Sequence, residues 1–216
     1  MYIPSAFAET RSDVLARFIA QYSFGTLVTS DAPGGLCASH LPLLFHAGEG
    51  SGSATIFSHM AKANPQWKFL RPESDVLVIF TGPHTYISPR WYEEKVAVPT
   101  WNYTAVHAYG RPRLIDDPTH VRQILSQTVE KYEGTGSGAW RDSDLPEDFV
   151  AKMASAVVAF AIDVTRIEGK FKLNQNRSAA DRKGVIAALE AAGSEDSRAI
   201  ASLMRAGLSE AKPPQP

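Results

Sequence analysis

Apolar and polar positions in this chain switch between a helical and an alternating period, and the switches mark its elements. From Asp13 to Tyr22, Val14, Leu15, Phe18, Ile19 and Tyr22 share one face at helical spacing, which predicts an amphipathic helix with Ser12 as its cap. Phe24 to Ser30 then reads as a strand, followed by turn residues at 31–35. Leu36 to Phe45 alternates with apolar residues on both faces, as in a barrel wall covered from outside. Within it, Pro42 marks an edge or a bulge. A Gly/Ser loop at 47–53 leads to a third strand, Ala54 to Phe57. Further strands are predicted over Asp75 to Gly82, Tyr103 to Ile115 and Val157 to Ile167.

Helical spacing returns after Asp117-Pro118, where Val121, Ile124, Leu125, Val129 and Tyr132 form a stripe stopped by Gly134. Asp144 and Pro146 begin a short helix. Ser178 and Asp181 make a capping-box-like start to another, which carries Val185, Ile186 and Leu189. A last helix holds Ile200, Leu203 and Met204. Six strands joined mostly by hairpins argue against a parallel βαβ sheet. The pattern predicts a mainly β, α+β chain: a small antiparallel barrel with peripheral helices, which removes exposed strand edges. Neither a repeat nor a linker interrupts it, so residues 1–206 read as one domain and 207–216 as a disordered, Pro-rich tail.

Composition narrows the partners. A net charge of −1 gives no global attraction to nucleic acid or an anionic membrane. The single Cys37 excludes an intrachain disulfide and multi-cysteine metal clusters, and it favours a reducing compartment. No signal-peptide pattern opens the chain, and no apolar run approaches the roughly 20 residues that span a bilayer. The expectation is a cytoplasmic protein with no membrane partner.

Candidate chemistry is thin by motif. The histidines at 40, 46, 59, 84, 107 and 120 lack HxH or HExxH spacing, so no metal site is expected. There is no GxSxG, and no GxGxxG follows a strand. Three polar stretches remain that core packing does not require. In the first, Phe57 to Trp67, a strand gives way to a turn carrying Ser58, His59 and Lys62; Asn64 and Pro65 then suit a helix start. It reads either as a capped helix or as an anion cradle, where helix dipole, N–H groups and a fixed cation converge. The second, Pro99 to Tyr103, sets Asn102 between Trp101 and Tyr103, as core aromatics or as a ring-binding surface. The third, Lys170 to Arg177, is basic and amide-rich. A phosphorylated planar heterocycle needs what the three offer: donors for phosphate, flat apolar surface, and amides for ring carbonyls.

The motifs Tyr2-Ile-Pro4, His40-Leu-Pro-Leu-Leu44, His59-Met-Ala-Lys-Ala-Asn-Pro-Gln-Trp67, Gly82-Pro-His-Thr-Tyr-Ile-Ser-Pro89, Val98-Pro-Thr-Trp-Asn-Tyr103, Val106-His-Ala-Tyr-Gly110 and Gly169-Lys-Phe-Lys-Leu-Asn-Gln-Asn-Arg177 occur in order. Together they resemble the PaiB family, described as FMN-binding negative transcriptional regulators. The resemblance implies a six-stranded split β-barrel, similar to the pyridoxamine-phosphate oxidase superfamily, and a homodimer with FMN at its interface. It implies FMN phosphate near His59, Lys62 and Asn64, Trp101 and Asn102 beside the ring, and the segment with Lys172, Gln175 and Arg177 close by; Ser58 joins these as a cofactor-binding candidate. Phe171 and Asn174 depart from the family's expected Trp and Ser.

Three functions fit that frame: a regulator, a flavin-dependent oxidoreductase, and a flavin carrier or sensor. No helix-turn-helix or basic arm supports direct DNA binding, and Glu190, Glu195 and Asp196 would repel phosphate. For an enzyme, His40, His107 and Tyr109 are the acid–base candidates.

Overall fold

The structure is a computed structural model that describes residues 1–32, 35–48 and 53–209. The eight strands are β1 (Ala8–Glu9), β2 (Phe24–Ala32), β3 (Gly35–Pro42), β4 (Leu44–His46), β5 (Thr55–Ala61), β6 (Val76–Ile87), β7 (Thr100–Ile115) and β8 (Val157–Lys172). The five α-helices are α1 (Ser12–Gln21), α2 (Pro118–Glu133), α3 (Glu147–Ser155), α4 (Ala179–Ala192) and α5 (Glu195–Ser209). The sheet order is β3-β2-β6-β7-β8-β5-β4, with β1 paired to β8. The α+β class holds, with eight strands among the described residues rather than six.

The two extra strands have local causes. β1 is only two residues long, too short to leave a period in the sequence. The segment from Leu36 to Phe45 breaks at Leu43, because Pro42 has no N–H to continue a ladder. Leu43 turns inward instead, fully buried, and its N–H donates to Ser23 O at 2.9 Å. Consecutive strands β3 and β4 therefore stand at opposite ends of the sheet order. Ser58 Oγ on β5 donates to Pro42 O at 2.6 Å, so the two ends approach, yet among the described residues no ladder closes them.

Contacts divide the chain into two compact units. Unit 1 comprises Met1–Leu15, Thr81–Val106 and the described part of Glu168–Pro216; unit 2 comprises Ala16–Phe80 and His107–Ile167. Unit 2 has its core in the inward faces of its strands, with Leu27, Ile56, Val78, Phe80 and Phe160 essentially inaccessible. Burying each such side chain stabilises by about 1.5–3 kcal/mol. Helix α2 adds Ile124, packed with Leu44, Ile115 and Ala161. Asp117 caps that helix through Thr119 and His120 N–H groups, and Gly134 ends it at φ +79°, where a side chain would strain.

In unit 1, Ile87, Val185, Leu189, Ile200 and Met204 form the core. Ser178 Oγ accepts the Asp181 N–H at 3.0 Å, which is half of a capping box. Asp181 does not close the box; its Oδ1 accepts the Glu93 and Glu94 N–H groups at 2.9 and 3.1 Å. Gly184 lets α4 press on the 3-10 turn Pro89–Trp91, since a Cβ there would lie 2.3 Å from Trp91 O. The C-terminal helix extends to Ser209, so 207–209 are helical rather than a tail. The expected tail from 210 onward, and parts of the predicted turn at 31–35 and loop at 47–53, lie outside the described residues.

Candidate functional site

Four of the nine sequence-predicted site residues fall in unit 2, and five in unit 1. In unit 2, strand β5 continues through Ala61, so Ser58 and His59 belong to a ladder rather than a turn. They pair with Phe160 and Ala159 of β8. Ser58 is buried, its hydroxyl committed to Pro42 O. His59 is half-buried, and its Nδ1 meets no partner among the described residues. Burial pushes its pKa below the ordinary value, since a desolvated imidazolium is disfavoured.

The predicted helix after Asn64 is instead a five-residue 3-10 turn, Pro65–Phe69. So short a turn has little macrodipole. Asn64 Oδ1 accepts the Gln66 N–H at 3.0 Å, while Asn64 Nδ2 donates to Ser39 Oγ at 2.8 Å. The Lys62 N–H donates to Ala156 O, and Lys62 O accepts from Trp67 Nε1 at 3.0 Å. What organises this corner is Gln66, which the sequence did not flag. Fully buried, its Nε2 lies 3.2 Å from Leu27 O, 3.3 Å from Thr29 Oγ1 and 3.1 Å from Cys37 O, pinning the turn to β2 and β3. Of the expected cradle, Lys62 alone keeps an exposed side chain without a partner among the described residues. The helix expected after Asn64 is thereby corrected to a short 3-10 turn.

Unit 1 is different. Trp101 is 52% exposed on β7, with Tyr86 at a ring-centroid distance of 6.3 Å and His84 at 5.9 Å, both on β6. Lys172, at the end of β8, donates to Trp101 O at 2.6 Å and to Thr100 Oγ1. Partial burial, and then the charge of Lys170, lowers the pKa of Lys172. Lys170 is itself held by Tyr2 O at 3.0 Å and lies over the Tyr2 and Tyr103 rings. An exposed indole flanked by two rings offers stacking surface, and the Lys172 ammonium is fixed on the backbone and the Thr100 hydroxyl beside it.

Asn102 does not join that face. Neighbours along a strand point to opposite sides, and Asn102 is fully buried with Nδ2 3.4 Å from Met204 Sδ. Its Oδ1 has no partner among the described residues. Gln175 folds back on its own turn, accepting the Leu173 N–H at 2.7 Å and donating to Phe171 O. Asn174 adopts φ +60°, which asparagine tolerates, and bonds Tyr92 Oη. Arg177 stacks over Tyr92 at 4.6 Å. Trp101 and Lys172 are thus brought together, whereas Gln175 and Arg177 shape the following turn. The rings of His84 and Tyr86 were missed as partners of Trp101; alternation along β6 and β7 carries that signal once both strands are given their full length.

A family model described as "Putative FMN-binding domain" matches residues 1–166. The chain belongs to this FMN-binding-domain family. Membership of PaiB type is supported by a Bacillus subtilis relative, protease synthase and sporulation protein PAI 2, 36% identical over 204 residues, 94% of this chain and 96% of that one. A protein of Emericella nidulans, described as uncharacterized, is 30% identical over 242 residues, covering 95% of this chain and 96% of its own. Among solved structures, the flavocytochrome Anf3 of Azotobacter vinelandii superposes with a TM-score of 0.60 at 14% identity, over 76% of this chain and 69% of that one. An FAD and heme binding protein of Mycobacterium smegmatis gives 0.57 at 14% identity, over 87% and 80%. These likenesses place the FMN-binding-domain chain in a split-barrel-like fold. Lys172, Gln175 and Arg177 lie beyond the residues that the family model matches.

Proposed function

We propose that this protein binds FMN as a homodimeric, cytoplasmic regulator of PaiB type, with the flavin ring held against the exposed face of Trp101. The observation that carries the reading is the grouping of Trp101, Tyr86 and His84 with Lys172. A flavin is flat, apolar across its faces and rich in acceptors along one edge. An indole with an adjacent ammonium meets both needs. Ser58, Asn64 and Asn102 fit less well, because their polar atoms face the protein. Bound FMN supplies one- and two-electron redox chemistry, while the protein sets its position and electrostatics. Here Lys172 would place positive charge at the ring edge and Trp101 would exclude water from one face.

The regulatory part draws on the B. subtilis relative, whose name links that protein to protease synthesis and sporulation. With a net charge of −1 and acidic residues on α4 and α5, regulation without direct reading of DNA fits this chain better. Purification tests the reading: the protein is expected to be yellow and to release FMN on denaturation. A colourless protein that takes up no FMN at micromolar concentration overturns it. Rapid bleaching of bound flavin by NADH or NADPH would move the assignment to an oxidoreductase. Salt-sensitive retention of promoter DNA would overturn the indirect mode.

A further inference from the structure

Two cations share one face of unit 1. Lys170 and Lys172 stand two residues apart at the end of β8, so their side chains leave the same side of the strand, about 6.6 Å apart along it. Trp101 and Tyr103 share a side of β7 by the same alternation. The two sets meet: Lys170 Nζ lies 5.2 Å from the Tyr103 ring centroid, and Lys172 Nζ lies 2.6 Å from Trp101 O. Lys170 is only 7% exposed and has the Tyr2 ring at 5.5 Å as well. Its hydrogen-bond partner is Tyr2 O, at 3.0 Å. Glu168, next along that side of β8, is paired with the Met1 ammonium at 2.6 Å. Neither lysine has a carboxylate partner among the described residues. Buried charge is costly unless compensated, so negative charge arriving at this face is favoured.

What these ammonium groups offer is field rather than contact. Lys170 is covered by two rings, and Lys172 gives two of its three donors to Thr100 Oγ1 and Trp101 O. A phosphate clamp needs donors aimed at the phosphate oxygens, whereas a positive field beside a ring discriminates between the charge states of that ring. We propose that this lysine pair makes the site select reduced over oxidised flavin, an inference that rests on the flavin reading of Trp101. The oxidised ring is neutral. Uptake of two electrons and one proton leaves it with one negative charge, which both ammonium groups favour. Tighter binding of the reduced form raises the reduction potential of the bound flavin by the same factor, through linkage. In a regulator, flavin loading would then follow the supply of reductant.

Anaerobic spectroelectrochemical titration of the FMN-loaded chain, with free FMN as reference, tests the proposal. The bound flavin should be reduced at a more positive potential than free FMN. Lys172→Met should cut the preference for reduced flavin about tenfold, a shift of about 30 mV for a two-electron couple. Lys170→Met, at a position covered by rings, should shift the potential the same way, and Lys172→Arg, which keeps the charge, should keep the potential. Riboflavin should show the same shifts, because the ring carries the effect. A bound potential at or below that of free FMN overturns the proposal, as does an unaltered potential in Lys172→Met. An affinity loss in Lys172→Met that is equal for both oxidation states, or that spares riboflavin, makes the lysine a contact rather than a charge selector and overturns it too. Flavin that binds with an unmoved potential overturns the charge selection alone; failure of either flavin to bind in either oxidation state overturns the flavin reading with it.

Discussion

Gln66→Ala should be among the more destabilising single changes in unit 2, although position 66 lies in a short turn. The side chain is fully buried, and its amide group lies within 3.3 Å of three oxygens on β2 and β3. An amide nitrogen has two hydrogens, so two bonds are made at a time, each contributing about 1 kcal/mol net. Removing the side chain also leaves a void, which adds about 1 kcal/mol where the surroundings relax only partly. The expected loss is about 3 kcal/mol. With a urea m-value of about 2–3 kcal/mol/M, the unfolding midpoint should fall by about 1 M at unchanged slope. Gln123→Ala, exposed on α2, should stay within about 0.5 kcal/mol of the parent. Gln66→Glu provides a sign test. A carboxylate facing three acceptors raises the folded pKa above the unfolded value of about 4.3, so stability present at low pH is lost as pH rises through the folded pKa. The variant should therefore be closer to the parent at pH 4 than at pH 7. A Gln66→Ala midpoint that matches Gln123→Ala would refute the pinning role.

Two further perturbations address other parts of the fold. Gly110→Ala places a Cβ 2.5 Å from Asp163 O and 2.7 Å from Ile162 Cγ2, so β7 and β8 would have to part; thermal unfolding should register a loss of about 2 kcal/mol or more, and an unchanged melting temperature would contradict the close approach. His59 has a folded pKa below the ordinary histidine value of about 6.5, so the unfolded chain binds more protons and stability falls as pH drops through that value towards the folded pKa. His59→Gln should flatten the stability profile between about pH 7 and 5, as read by denaturant midpoints; an unaltered acid slope would place the sensitivity elsewhere.

The α+β class, the antiparallel preference and five helices were legible because each leaves a period or a cap. Asp117, Gly134 and Ser178 stand where capping chemistry puts them. The strand ends were not legible. β5, β7 and β8 run on into His59, Thr100 and Lys172, where polar residues keep the alternation but break the apolar pattern. That error had a consequence for the site. Given a strand from Thr100, alternation already separates Trp101 from Asn102 and leaves Asn102 in the core. The Asn64-Pro65 signal was real, since Asn64 does cap, but nothing local says that the turn will last five residues. Gln66 was invisible for a different reason: its partners are 29 to 39 residues away in sequence. The grouping of His84, Tyr86 and Trp101 depends likewise on which strands carry those rings.

The most direct test of the central claim is an FMN titration of the purified chain, its Trp101→Ala variant and a Trp140→Ala control. Trp140 is also about half exposed, at 48%, but belongs to unit 2. Stacking on an aromatic side chain contributes about 1–3 kcal/mol, so Trp101→Ala should weaken FMN by about fivefold or more. Trp140→Ala should leave the affinity within about twofold of the parent, as expected for a surface change away from the ligand. Equal affinity for all three proteins, or greater loss in the control, would contradict the placement of the flavin on Trp101.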